Sequence, residues 1–90
     1  MTEADPPSLL TFPCDFPIKI MAHAREDMEL TLVSIVRRHV PDLGEAAVTT
    51  RLSKGGKYIA VTATFQAQSR VQLDALYQEL STHEFVVMVL

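Results

Sequence analysis

The chain contains no tryptophan and no asparagine, and only one cysteine and three glycines among its 90 residues. Each scarcity closes off some chemistry. With Cys14 alone, neither an internal disulfide nor a multi-cysteine metal site can form, which suits a reducing compartment. His23, His39 and His83 are widely separated and share no paired ligand spacing, so no metal or other cofactor is expected. No histidine stands at a recognisable catalytic signature with Cys14, which is expected to be a small, partly buried thiol. No apolar run approaches the ~20 residues that span a bilayer. Met1 to Pro7 has neither the basic start nor the apolar stretch of a signal peptide, so a cytoplasmic protein without membrane contact is expected.

Charge is unevenly spread. Glu3, Asp5 and Asp15 fall in the first fifteen residues without a base, whereas the remaining residues carry eight Lys or Arg against eight Asp or Glu. The net charge of -3 therefore belongs to the lead-in, and the neutral body argues against general attraction to nucleic acid. The apolar fraction of 48% and this length fit one domain with one core, hiding somewhat under ~70% of the unfolded surface.

Hydrophobic periodicity orders the chain. Residues 1 to 8 are polar and proline-containing and read as a mobile tail ahead of a single domain over residues 9–90. Leu9, Leu10 and Phe12 read as an arm docking on the core, with Pro13 and Pro17 restricting the entrance to the first strand. The other reading makes Phe12 and Phe16 an exposed anchor for a partner. From Phe16 to His23, alternation sets Phe16, Ile18, Ile20 and Ala22 on one side of a strand, and Pro17 must sit at its start or face an unpaired side. Residues 25 to 40 read as a helix with Met28, Leu32, Ile35, Val36 and His39 in its apolar stripe, acids first, bases last and Pro41 beyond. Ala46 to Ser53 and Lys57 to Ala67 flank Lys54-Gly55-Gly56, a hairpin signal. Ser69-Arg70-Val71-Gln72 fits a capping box ahead of Leu73, Leu76, Tyr77 and Leu80 at helical spacing, and Glu84 to Leu90 reads as a last strand.

The order β-α-β-β-α-β is that of a ferredoxin-like two-layer sandwich, an α+β fold with a four-stranded antiparallel sheet and both helices on one face. Fold alone leaves function open. A soft-metal carrier of this topology needs Cys-x-x-Cys, and acylphosphatase chemistry needs an asparagine to hold the attacking water; the chain has neither. Lys54 to Val61 superficially matches the third-strand motif of RNA recognition domains, yet only Tyr58 supplies an aromatic there, so nucleic-acid binding is disfavoured.

Leu9 to Met21, the hairpin Ser53 to Tyr58, the helix segment Leu76 to Leu80 and the ending Val87-Met88-Val89-Leu90 together resemble the YbeD-like family of small bacterial proteins over roughly residues 9 to 90. The resemblance implies a ferredoxin-like fold comparable to ACT regulatory domains, a cytoplasmic bacterial protein and no established biochemical activity. The family pattern carries glycine where this chain has Ala22, which weakens a ligand-loop analogy, and admits a charged residue where this chain has Val87.

Three candidate surfaces remain. Arg51, Lys54, Lys57 and Tyr58 around the hairpin form a stretch without an acid, read either as a solvated turn that discourages sheet aggregation or as an anion or acidic-partner patch. Phe85, Val87 and Val89 alternate with Val86, Met88 and Leu90, so both faces of the last strand are apolar and one is a candidate association face. Ala22, His23, Ala24 and Arg25, where the first strand meets the first helix, form a candidate loop for a small carboxylate. The leading expectation is a non-enzymatic, ACT-like regulatory or interaction module acting by sheet-mediated association, as a homodimer or with another protein. The alternative is a sensor of amino acids or carboxylates, and a third is an RNA-associated regulator.

Overall fold

The computed structural model describes residues 11–90. The expected tail over residues 1–8 and the arm residues Leu9 and Leu10 lie outside the described residues. Strand β1 (Cys14–His23), helix α1 (Met28–His39), strands β2 (Val48–Leu52) and β3 (Tyr58–Ala67), helix α2 (Arg70–Thr82) and strand β4 (Val86–Val89) follow the expected order. The sheet runs β2-β3-β1-β4 with every pair antiparallel, the ferredoxin-like arrangement.

Alternation along β1 and β3 builds the floor of the core. Ile18, Ile20 and Ala22 face the helices beside Ile59, Val61, Ala63 and Phe65, all buried. Leu32, Ile35 and Val36 of α1 and Leu73, Leu76 and Leu80 of α2 close over them. Each fully buried Leu, Ile or Val contributes ~1.5–3 kcal/mol before entropy is charged. Phe12 also packs against this core, and Phe16 meets Phe65 at 6.1 Å and Tyr77 edge-on at 6.4 Å. Neither phenylalanine is the exposed anchor of the second reading. Burial raises the Tyr77 phenol above its ordinary value.

Pro17 is accommodated as its chemistry demands. The Lys19 and His23 N–H groups both donate toward the β4 side, to Leu90 and Phe85, so Pro17 turns its missing donor to that same side. Among the described residues the β1–β4 ladder does not reach Pro17, so no ladder hydrogen bond is lost there.

Three differences from the sequence reading bear on the candidate surfaces. Helix α1 begins at Met28 rather than residue 25, because Asp27 takes φ 66° and the Met28 N–H closes a turn onto the Arg25 carbonyl at 3.1 Å. A left-handed residue cannot continue a right-handed helix, so Glu26 and Asp27 belong to the entry turn. Ala46 and Ala47 lie in a short 3-10 turn ahead of β2, not in the strand. In the hairpin turn, Gly55 and Gly56 take φ 91° and 75°, conformations open to glycine at no steric cost.

The third difference is in β4. Met21 pairs with Met88, but the adjacent Ala22 pairs with Val86, so Val87 is an extra residue at a β-bulge. Alternation fails there: Val86 and Val89 both pack against the core, while Val87 stands 48% exposed.

The helices are tied at one end. Ser69 Oγ accepts from the Gln72 N–H as a cap should, but the return contact is displaced: Gln72 Oε1 accepts from the Gln68 N–H at 2.7 Å. Its Nε2 then donates to the His39 carbonyl at 2.8 Å, joining the start of α2 to the end of α1. Glu79 adds a second tie, accepting from Arg38 and lying 2.7 Å from His39 Nε2.

Candidate functional site

The strand that carries the candidate ligand loop ends in a junction. Ala22 is buried, the His23 N–H donates to the Phe85 carbonyl at 2.9 Å, and the Ala24 N–H donates to the Lys57 carbonyl at 2.9 Å. The His23 ring lies 5.4 Å from Tyr58, and the Arg25 guanidinium sits 4.1 Å above the Phe85 ring. The His23 and Ala24 backbone donors of this loop are therefore engaged in tying β1 to β4 and to the hairpin.

Beside the loop, a cleft of ≈ 680 Å³ runs between α1 and the sheet margin, floored by Met28, Val33, Val48 and Ile59. Arg25 and Arg37 line it, but so do Asp27, Glu29 and Glu45. Among the described residues no group of three His, Cys, Asp or Glu side chains could hold a metal ion. Cys14 is half-buried, opposite Ala67 at the end of the β1–β3 ladder.

The three residues Phe85, Val87 and Val89 are not brought onto one face. Phe85 and Val89 pack against the core and Val87 projects at the bulge. What gathers instead is Val87, Met88 and Leu90, exposed by 48%, 47% and 63%, beside half-buried Met21. Met88 lies opposite Met21, and Leu90 exchanges both backbone hydrogen bonds with Lys19, so these residues form the β4 margin of the helix-free sheet face.

The hairpin patch divides. Lys54 and Lys57 are exposed in and beside the turn, while Tyr58 is half-buried against His23. Arg51 belongs to the sheet, and the register places it in a row with Ala60 and Met21. The neighbouring row is Thr49, Thr62 and Lys19. A groove of ≈ 430 Å³ follows these two rows. Lys19 was not singled out by sequence; its outward parity in β1 was legible, but only the three-strand register sets it near Arg51.

No helix among the described residues is long and apolar enough to cross a membrane. Residues 7–90 match the family model described as a protein of unknown function, DUF493. The UPF0250 protein NE1487 of Nitrosomonas europaea is 45% identical over 83 residues, covering 92% of this chain and 95% of that protein. A UPF0250 protein of Janthinobacterium is 43% identical over 91 residues, with both chains covered in full. The solution structure of protein HP0495 from H. pylori is similar in fold, with a TM-score of 0.66 at 15% identity over 90% of this chain and 85% of that one. With the ferredoxin-like sheet order and a match over nearly the whole length, the chain belongs to the DUF493/UPF0250 family of small uncharacterised bacterial proteins, which includes YbeD.

Proposed function

We propose that this chain is a non-enzymatic, cytoplasmic interaction module that associates with a second copy of itself through the β4 margin of its helix-free sheet face. The observation that carries the reading is the exposure of Val87, Met88 and Leu90 in consecutive reach of one another beside Met21. Scattered apolar residues are ordinary on a surface, but a contiguous group on an uncovered face favours association. A two-fold axis beside β4 sets the same residues of each copy against one another, so one apolar patch serves both sides of the contact. The bulge at Val87 also disrupts the outer edge of β4, which favours side-chain packing over simple continuation of the sheet.

A carboxylate sensor is the weaker alternative. The cleft beside α1 is large enough, but three acids share it with two arginines, and the loop donors of His23 and Ala24 are spent within the fold. An RNA-associated role has less support still, since Tyr58 and His23, tilted by 35° with ring centroids 5.4 Å apart, make a short aromatic platform for stacked bases.

Light scattering over a concentration series tests the association. The full chain is expected to reach dimer mass, and Met88→Asp to remain monomeric because each dimer would bury two new carboxylates. A full chain that stays monomeric up to about millimolar concentration, where ~4 kcal/mol of association would register, refutes the reading.

A further inference from the structure

The helix-free face has a second, chemically different region that runs from β2 across β3 to β1, where it meets the apolar patch at Met21, and it concerns a different kind of partner. Two successive rows cross β2, β3 and β1: Thr49, Thr62 and Lys19, then Arg51, Ala60 and Met21. Lys19 and Arg51 stand at diagonal corners, about 12 Å apart at their Cα atoms from ordinary sheet spacings. Ala60 and the threonines, being small, leave the ≈ 430 Å³ groove between them. Among the described residues no acid lines this groove. Asp15, four residues before Lys19 on the same side of β1, is about 13 Å away along the strand. Among the described residues the ion pairs engage Arg38, His39 and Arg70, not Lys19 or Arg51.

From this placement we infer that the groove binds an acidic segment of a partner protein, with Lys19 and Arg51 holding carboxylates at two points along it. Side chains four residues apart on one face of an extended peptide are separated by about 13 Å, which matches the diagonal. The Thr49 and Thr62 hydroxyls can donate to further carboxylate oxygens, and Met21 offers an apolar contact between the two charges. The arrangement discriminates by charge: in a chain of net charge -3, the charged groups that line this groove among the described residues are both cations. A nucleic acid fits less well, because two fixed cations neutralise few phosphates and the neighbouring Tyr58–His23 pair is a short platform for stacked bases. Lys54 and Lys57 lie outside the groove, in and beside the hairpin turn, where they add attraction at a distance.

The test is fluorescence anisotropy with the full chain and a fluorescein-labelled ten-residue peptide of glutamates around a central leucine, at low and moderate salt. The peptide is expected to bind at low salt and to weaken as salt rises. Combined Lys19→Glu and Arg51→Glu should weaken it by about tenfold or more, since each reversal replaces an attraction by a repulsion. Combined Lys54→Glu and Lys57→Glu should weaken it by no more than about threefold, the scale of screened exposed charges. Circular dichroism confirms that both variants fold, and the single reversals serve if the double variant does not. Absence of binding to the full chain at low salt overturns the inference, as does full retention in the Lys19 and Arg51 variants. A labelled decauridylate that binds more tightly than the peptide, with the same two residues required, would make the groove a nucleic-acid surface instead. Inorganic phosphate that displaces the peptide where chloride of equal ionic strength does not would make it a small-anion site. Association is read as mass and peptide binding as anisotropy, so failure of one reading leaves the other standing.

Discussion

Strict alternation and the bulge in β4 make opposite statements about three valines, and aspartate substitutions separate them. If alternation held, Val87 and Val89 would share a face and respond alike, with Val86 on the other. The bulge instead pairs Val86 with Ala22 and Val89 with Ile20, both core-facing partners, and leaves Val87 without one. Burying a valine side chain completely is worth ~1.5–3 kcal/mol, and half-burial about half of that. Aspartate at either core-facing position must also be desolvated or protonated, at ~1.4 kcal/mol per unit of pKa displacement. Val86→Asp and Val89→Asp are therefore each expected to lose about 2–4 kcal/mol, a large share of the ~5–13 kcal/mol available to a domain of this length. Val87→Asp, with its side chain 48% exposed, should stay within about 1 kcal/mol. Urea unfolding followed by circular dichroism reads these as midpoint shifts of roughly a molar or more against a small one. Equal losses for Val87→Asp and Val89→Asp, with Val86→Asp near wild type, would refute the bulge.

Two further predictions concern the tie between the helices. Glu79 is held below its ordinary carboxylate value, first by the hydrogen bond from Arg38 and then by that with His39. Its contribution is thus fully present above the unfolded value near 4.5 and is lost as pH falls through the lower folded value. Glu79→Gln should cost less than about 1 kcal/mol at neutral pH, because solvent reaches Arg38 and part of Glu79 and screens the pair, and should flatten the acid limb of the stability profile; identical limbs would sink the assignment. At Gln72, replacement by alanine removes one contact to the Gln68 N–H and one to the His39 carbonyl, at an expected cost of about 1–2 kcal/mol. Gln72→Glu keeps the acceptor for Gln68 but cannot donate to His39, so it should fall between alanine and wild type in urea midpoint. A glutamate variant as stable as wild type would mean that the link to His39 contributes nothing.

The fold was legible because its signals are local. The β1 alternation, the α1 stripe and the α2 spacing each follow from the period of a single element, and the paired glycines mark the hairpin without reference to anything else. Where local signals compete, the reading slipped: Glu26 and Asp27 look like a helix start, but their acidity suits a turn preceding a helix equally well. Ala46 and Ala47 have no pattern of their own, and the 3-10 turn is selected by how β2 must enter the sheet.

The candidate surfaces depended on relations between elements. That the last strand is apolar on both sides was plain in Glu84 to Leu90, but which valine faces water follows from pairing with β1, where one extra residue reverses the parity of everything before it. The loop Ala22 to Arg25 offered backbone donors in sequence, and tertiary hydrogen bonds to Phe85 and Lys57 consume those of His23 and Ala24. Arg51 and Lys19 lie on strands far apart in sequence and come to flank one groove because β3 stands between them in register with both. Sequence by itself determined the elements, their order and the apolar faces that drive them together, since those depend on near neighbours along the chain. Tertiary structure alone decided which polar and apolar side chains remain outside and next to one another, because strand register is a property of two chains of residues at once.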